Sequence, residues 1–270
     1  MEFNFAWDWL GLGGLIFGLS LRYIGESVGQ SIALGICSSF ATLLPAAMMG
    51  DDLFTGPGLI LLLLVGVGIA GVFVLAFAFS LKDKQLSAAQ KKTAIEDYSY
   101  GEGVFIAILS GLMSACFGLG LACSEPIRLN AIALGANPMF AGLPSILMIT
   151  LGGFLVNGFF SIYQNITNKT SYDYFNTTLK VFIRNLILCA LSGGLWYFQF
   201  FGLTIGKYFL IESSVMLAFS WSILMAFNIS FSTIVTVFRQ NWFSFYLKPF
   251  VIVVFGLLVI FTSIFISTLY

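Results

Sequence analysis

The stretch PGLILLLLVGVGIAGVFVLAFAFSL, residues 57–81, runs for 25 positions without a charged side chain and holds no polar one before Ser80. About 20 apolar residues in a helix cross the roughly 30 Å hydrocarbon core of a bilayer. Lipid offers no hydrogen bonds, so the backbone of such a run must satisfy itself, and a helix does so within one segment. The same reading, carried outward, finds eight apolar runs of about membrane length, interrupted only near their ends by Asp8, Arg184 and Glu212. They are A (6–21), B (27–49), C (57–81), D (103–123), E (139–163), F (181–206), G (210–236) and H (249–269). Short polar breaks such as Gly50-Asp51-Asp52 and one charged stretch, 82–102, separate them, leaving no room for a soluble domain. The expected fold is an all-α integral membrane bundle of about eight spans.

Composition excludes most other classes. Of 270 residues, 59% are hydrophobic and only 9% charged, against about 25% charged in soluble domains. Twelve Lys plus Arg balance twelve Asp plus Glu, so no basic field exists for nucleic acid. There is no histidine, which removes the usual general base, metal ligand and near-neutral proton carrier. Cys37, Cys116, Cys123 and Cys189 lie in or beside apolar runs without metal spacing and read as small buried hydrophobes. Gly25-Glu-Ser27-Val-Gly29 has the nucleophile-elbow pattern, yet no histidine exists to complete a triad. With no phosphate loop, zinc pattern or dinucleotide fingerprint, the chain reads as a non-enzyme with no cofactor and no metal.

Orientation follows from Lys and Arg in the connections. Arg22, Lys82, Lys84, Lys91, Lys92, Lys169, Lys180, Arg184, Arg239 and Lys248 fall on one side, and Arg128 and Lys207 alone on the other. Ten against two puts 82–102 in the cytoplasm and both termini outside. The sequons at Asn165, Asn168 and Asn176 then face the cytoplasm and read as chance matches. Glu2 and Asp8 at the start argue against a signal peptide.

Two segments share an order of elements. Gly13-Gly14-Leu15, Phe17-Gly18-Leu19-Ser20, Arg22-Tyr23 and Glu26-Ser27 parallel Gly193-Gly194-Leu195, Phe201-Gly202-Leu203-Thr204, Lys207-Tyr208 and Glu212-Ser213. Spans A and F run in opposite directions, as an inverted repeat requires. The expected units are an incomplete first repeat of three helices (1–81), the linker 82–102, and a second repeat of five helices (103–270), a 3+5 form of a 5+5 design. Glycine pairs Gly14/Gly18, Gly25/Gly29 and Gly202/Gly206 have the spacing for close helix packing.

Charges at bilayer depth are functional candidates. Here they gather at span ends, and Glu26, Glu125 and Glu212 are the carboxylates placed to couple or gate. Deep polar groups are neutral: Gln30, Ser114, Thr150, Asn157, Gln199, Ser222 and Asn228, with Trp196, Tyr197 and Trp221 beside them. Amides exchange hydrogen bonds with hydroxyls and aromatic faces cover C–H surface, which suits a sugar. The same side chains also bridge helices in any bundle.

Gly18-Leu-Ser-Leu-Arg-Tyr-Ile-Gly25 with Ser27-Val-Gly-Gln-Ser-Ile-Ala-Leu-Gly35, and Leu134-Gly-Ala-Asn-Pro138 with Leu143-Pro-Ser145, are distinctive. So are Gly152-Gly153 with Asn157, Ser192-Gly-Gly-Leu-Trp-Tyr-Phe-Gln-Phe-Phe201, and Ser220-Trp221 through Trp242. Together they resemble the L-rhamnose–proton symporter family of the drug/metabolite transporter superfamily, over nearly the whole chain. The resemblance implies a bacterial cytoplasmic-membrane carrier that moves a sugar such as L-rhamnose inward with a proton by alternating access. Gln30, Asn157, Trp196, Gln199 and Trp221 would then line the cavity. The family's first two helices find no counterpart, Gly14 and Ile16 stand where members often carry Asn, and Leu224 stands where they carry His. Alternatives are a truncated non-transporting membrane protein needing a partner, a homodimer included, and an exporter of another small metabolite.

Overall fold

A computed structural model of the chain describes residues 2–48, 53–85 and 98–270, with backbone alone for 2–11, 26, 27 and 83. Helices account for all of its regular structure. They are α1 (Glu2–Ile24), α2 (Glu26–Met48), α3 (Gly56–Lys84), α4 (Tyr100–Cys123) and α5 (Glu125–Ala133). Then come α6 (Leu143–Thr167), α7 (Leu179–Phe209), α8 (Ser214–Arg239), the one-turn α9 (Trp242–Phe245) and α10 (Leu247–Ser267). Seven of these helical segments are long and apolar enough to cross a membrane, and α1 supplies a shorter apolar stretch, Leu12–Ile24. Spans A to H therefore map onto α1, α2, α3, α4, α6, α7, α8 and α10. The linker positions 86–97 and the Gly50-Asp51-Asp52 break lie outside the described residues.

Breaks between helices have local causes. Gly25 adopts φ +80°, a left-handed conformation that ends α1 and lets α2 begin at the next residue. Pro126 and Pro144 occupy the first turns of α5 and α6, where a missing N–H costs nothing. Residues 134–142 turn back through Gly135, φ +91°. Span D is longer than its apolar run suggests, because α5 continues almost directly from α4 as an amphipathic nine-residue helix.

Packing is organised by α4, which lies against both α1 and α2. A methyl group added at Gly111 would sit 2.6 Å from the Ala33 carbonyl oxygen, and one at Gly118 would collide with the carbonyl of Ala41. The Ala41 carbonyl is special. Pro45, inside α2, has no N–H to bond it, so the proline exposes an acceptor that the Gly118 backbone then covers. At the other end of α4, a side chain at Gly103 would overlap Ile24. A second seam joins α3 to α10, where a methyl at Gly71 would meet Ile260 at 2.6 Å and the Gly256 carbonyl at 3.0 Å. Of the glycines paired in the sequence reading, Gly29 does pack closely, since a Cβ there would meet Leu21 of α1 at 3.0 Å, whereas nothing lies within 4 Å of a Cβ placed on Gly18, Gly202 or Gly206.

Helices α2 and α8 also pack together, and hydroxyls join them. Ser38 Oγ donates to Ser222 Oγ at 3.0 Å, and Thr42 Oγ1 lies 2.8 Å from the same oxygen. At the end carrying Lys82, the indole of buried Trp242 meets Phe79 edge-on at 5.2 Å, with the Lys82 ammonium 5.8 Å from its centre. Helix α7 stands apart: every residue from Leu179 to Trp196 is exposed, and it packs mainly against α8 and α6.

Gly118→Ala is expected to destabilise the purified protein by about 1–3 kcal/mol through overpacking against α2. Gly193→Ala, with nothing within 4 Å of the added carbon, is expected to be neutral or stabilising. Thermal unfolding in detergent checks the pair.

Candidate functional site

Six helices enclose a cavity of about 390 Å³ near the middle of the bundle. Its polar lining consists of Ser110 and Ser114 from α4, Thr150 and Asn157 from α6, and Gln199 from α7; Trp196 and Trp221 add aromatic faces. Gly14 opens space on the α1 side, since a Cβ there would come within 3.9 Å of the Asn157 amide. Among the described residues, no Asp, Glu, Lys or Arg lines this cavity. A charged ligand would therefore have no counter-ion there, whereas a neutral one meets hydroxyls, amides and ring faces.

The polar groups are held partly by their own helices and partly by neighbouring ones. Ser110 Oγ donates to the Gly13 carbonyl at 2.9 Å, tying α4 to α1. Thr150 and Asn157 donate to carbonyls one turn back on α6, at 2.9 Å to Ile146 and 2.7 Å to Gly153. Asn228 Nδ2 donates to Gln199 Oε1 at 2.9 Å and to the Leu224 carbonyl at 3.1 Å. That bond fixes the Gln199 side chain and leaves its NH₂ for the cavity.

On one side the cavity is capped by aromatic rings. Phe117 stacks on Trp221 at 4.8 Å and on Phe200 at 5.4 Å, and Ile146 and Leu203 complete the cluster. The Trp221 indole N–H is buried within it and, among the described residues, has no oxygen or nitrogen acceptor, only the weakly accepting sulfur of Cys37 beside it. An unsatisfied buried donor costs about 1–3 kcal/mol, so the packed plug carries a penalty that a rearrangement would relieve. Trp196 lines the cavity beside the plug, half-exposed, with its ring edge-on to Phe200 at 5.2 Å.

The five binding candidates from the sequence separate in space. Asn157, Trp196, Gln199 and Trp221 converge on the cavity. Gln30 does not: its Oε1 accepts from Ser232 Oγ at 2.6 Å, an α2–α8 bridge beyond the cavity floor. Nor do Glu125 and Glu212 reach it. Glu125 pairs with Arg128 at the start of α5, Glu212 is exposed on the α7–α8 connection, and the side chain of Glu26 lies outside the described residues. The plug residues Phe117 and Phe200 were not legible as functional, because in a chain with 30 phenylalanines nothing marks these two.

The profile of the L-rhamnose-proton symport protein (RhaT) family matches residues 2–269. The L-rhamnose-proton symporter of Mannheimia succiniciproducens is 30% identical over 263 residues, covering 96% of this chain and 74% of the relative. That of Klebsiella pneumoniae is 31% identical over 248 residues, or 89% and 69% of the two chains. The Yersinia pestis symporter is 30% identical over 263 residues, covering 96% and 74%. No solved structure matches the chain. A multi-pass helical bundle with an uncharged central cavity, matched over nearly its full length by this profile, belongs to the L-rhamnose-proton symport family, a family of membrane transporters and not of enzymes.

Proposed function

We propose that this chain takes up an uncharged sugar such as L-rhamnose together with a proton, by alternating access across a bacterial cytoplasmic membrane. The observation that carries this reading is the central cavity: about 390 Å³, free of charged side chains among the described residues and lined by amides, hydroxyls and indole rings. Gln199 and Asn157 would exchange hydrogen bonds with ring hydroxyls, and Trp196 would cover the sugar's C–H face. The Phe117–Phe200–Trp221 plug is the gate on one side, and the Gln30–Ser232 bridge belongs to the closure on the other. The excess of cations in alternate connections supports a cytoplasmic 82–102 and external termini, which makes the plug the outer gate. Residues 1–81 and 103–270 would be inverted repeat units. The packing of α2 on α8 and of α3 on α10 accords with a two-fold relation between them. With no titratable carboxylate in the cavity, coupling falls to Glu125 beyond the outer gate and Glu26 at the inner end.

A second reading has one observation in its favour. The cavity wall beside α6 and α7 is open, with Phe154 68% and Trp196 55% exposed. A second copy of the chain, or another membrane segment, could complete that wall. A particle mass of two chains in native membrane discs, with uptake confined to that form, would favour it.

Proteoliposomes with an inward proton gradient should accumulate labelled L-rhamnose. Gln199→Ala and Trp196→Ala should each reduce uptake efficiency by about tenfold, the cost of one or two lost contacts of about 1 kcal/mol each. Gln30→Ala should alter the maximal rate with little change in KM. Uptake that is absent, or indifferent to Gln199 and Trp196, rejects the assignment.

Trp221→Phe keeps a ring against Phe117 and deletes the unsatisfied N–H. It should stabilise the plugged form by about 1 kcal/mol and slow uptake. Thermal unfolding and initial rates measure the two effects, and a loss of stability would show that the indole N–H is satisfied.

A further inference from the structure

A second cavity, of about 510 Å³, lies beyond the aromatic plug. It sits between the end of α4, α5, the start of α6 and the end of α7. Glu125, Arg128 and Lys207 line it, together with Ser124, Ser145 and Thr204. Arg128 and Lys207 are the two cations that break the one-sided distribution of the other ten. The fold brings both of them, from helices far apart in sequence, to this one cavity.

Charge accounting leaves Lys207 over. Arg128 Nε reaches both oxygens of Glu125 at 2.9 Å, and Glu125 itself occupies the first turn of α5, where its charge suits that helix's N-terminus. Its carboxylate is thus already committed. Lys207 is half-buried and, among the described residues, has no carboxylate within ion-pair distance. Its place in the last turn of α7 complements that helix's C-terminus, a role any solvated cation would fill equally well. The N-terminus of α6 also opens on the cavity through Gly142 and Ser145: Leu143 N–H is spent on the Phe140 carbonyl at 3.0 Å and Pro144 has none, which leaves the Ser145 N–H as its donor there. The Ser and Thr hydroxyl protons are spent on backbone, Ser124 on Leu121 at 2.8 Å, Ser145 on Ser124 at 3.3 Å, and Thr204 on Phe201 at 3.0 Å, and Tyr208 adds a phenol to the lining. The lining therefore has strong unused donors in the Lys207 ammonium and a positive helix end, and only one carboxylate, which is taken.

The geometry points to this vestibule as a binding site for a small oxyanion, a carboxylate or a phosphate, held by Lys207 and the N-terminus of α6. The ligand is an acid, unlike the neutral solute of the central cavity, and the site stands whether or not that cavity carries a sugar. A soluble hydroxy-acid and a lipid headgroup share this chemistry.

Direct binding to the purified full chain decides among these. Titrations of gluconate and of inorganic phosphate into protein in phosphatidylcholine nanodiscs should show saturable binding. Lys207→Gln should weaken it by about tenfold or more, the loss of one charge-assisted contact. Lys207→Arg should retain most of it, and Trp196→Ala, in the central cavity, should leave it unchanged. If phosphatidylglycerol in the disc blocks gluconate in the wild type but not in Lys207→Gln, the headgroup is the oxyanion at this site. If phosphatidylglycerol has no effect while gluconate binds, the source is the soluble acid. A Lys207→Gln protein that melts like the wild type and responds identically to gluconate, phosphate and phosphatidylglycerol overturns the proposal. Since none of these measurements is of transport, failure of sugar uptake would not be confused with failure here.

Discussion

The structure depends on how closely α4 can approach α2. Side chains longer than hydrogen at Gly111 and Gly118 would meet carbonyl oxygens of α2, one of which Pro45 has freed from its own helix. Between lipid-embedded helices there is no hydrophobic drive to association, so dispersion and short backbone contacts must supply it. Once α4 is seated on α1 and α2, Ser110 bonds the Gly13 carbonyl and Ser114 faces the cavity. The Gly71–Gly256 seam does the same for α3 and α10. These two seams form a scaffold, α6 joins it by packing along α1, and α7 is the loosely attached helix.

That division has a functional sense. A carrier needs a rigid part against which another part moves. The exposed length of α7 bears Trp196 and Gln199 at the cavity and Lys207 at the vestibule, so one helix touches both compartments. The plug lies between them. Its rings bury apolar surface well yet strand an indole N–H, so the closed plug is favourable without being locked.

The absence of charge in the central cavity is a physical constraint on what it takes. Removing an ion from water into this lining would cost far more than neutral hydrogen bonds return. Charge is instead displaced past the plug, where Arg128 and Lys207 sit in a wider cavity. The chain thus separates a neutral compartment from a cationic one by a single layer of aromatic and aliphatic side chains. For the proposed coupling to a proton no histidine stands at Leu224, which turns attention to the carboxylates at the ends of the helices.

Much of the architecture was legible in the residues because the bilayer is a severe solvent. Apolar runs of sufficient length can only be spanning helices, so α2, α3, α4, α6, α7, α8 and α10 follow from composition, with α1 as a shorter apolar helix. The polar and aromatic words around Asn157, Trp196, Gln199 and Trp221 likewise stood out against an apolar background, and these four do share a cavity. Other features were hidden. Gln30 looked equivalent to Gln199 in sequence, yet only tertiary packing shows it spent on Ser232. The xxx-spaced glycines were conspicuous, but the packing glycines Gly103, Gly111 and Gly118 recur at about two-turn intervals, and their partners lie on other helices. Lys207 and Arg128 were visible as exceptions to a charge rule, although nothing local says that they meet. Sequence alone determined that the chain must be helical and lipid-embedded, because a buried backbone has no other way to satisfy its hydrogen bonds. Which neutral side chains face one another, and which cation is left without a partner, was decided only by the packing of distant helices, since that depends on shape at contacts remote along the chain.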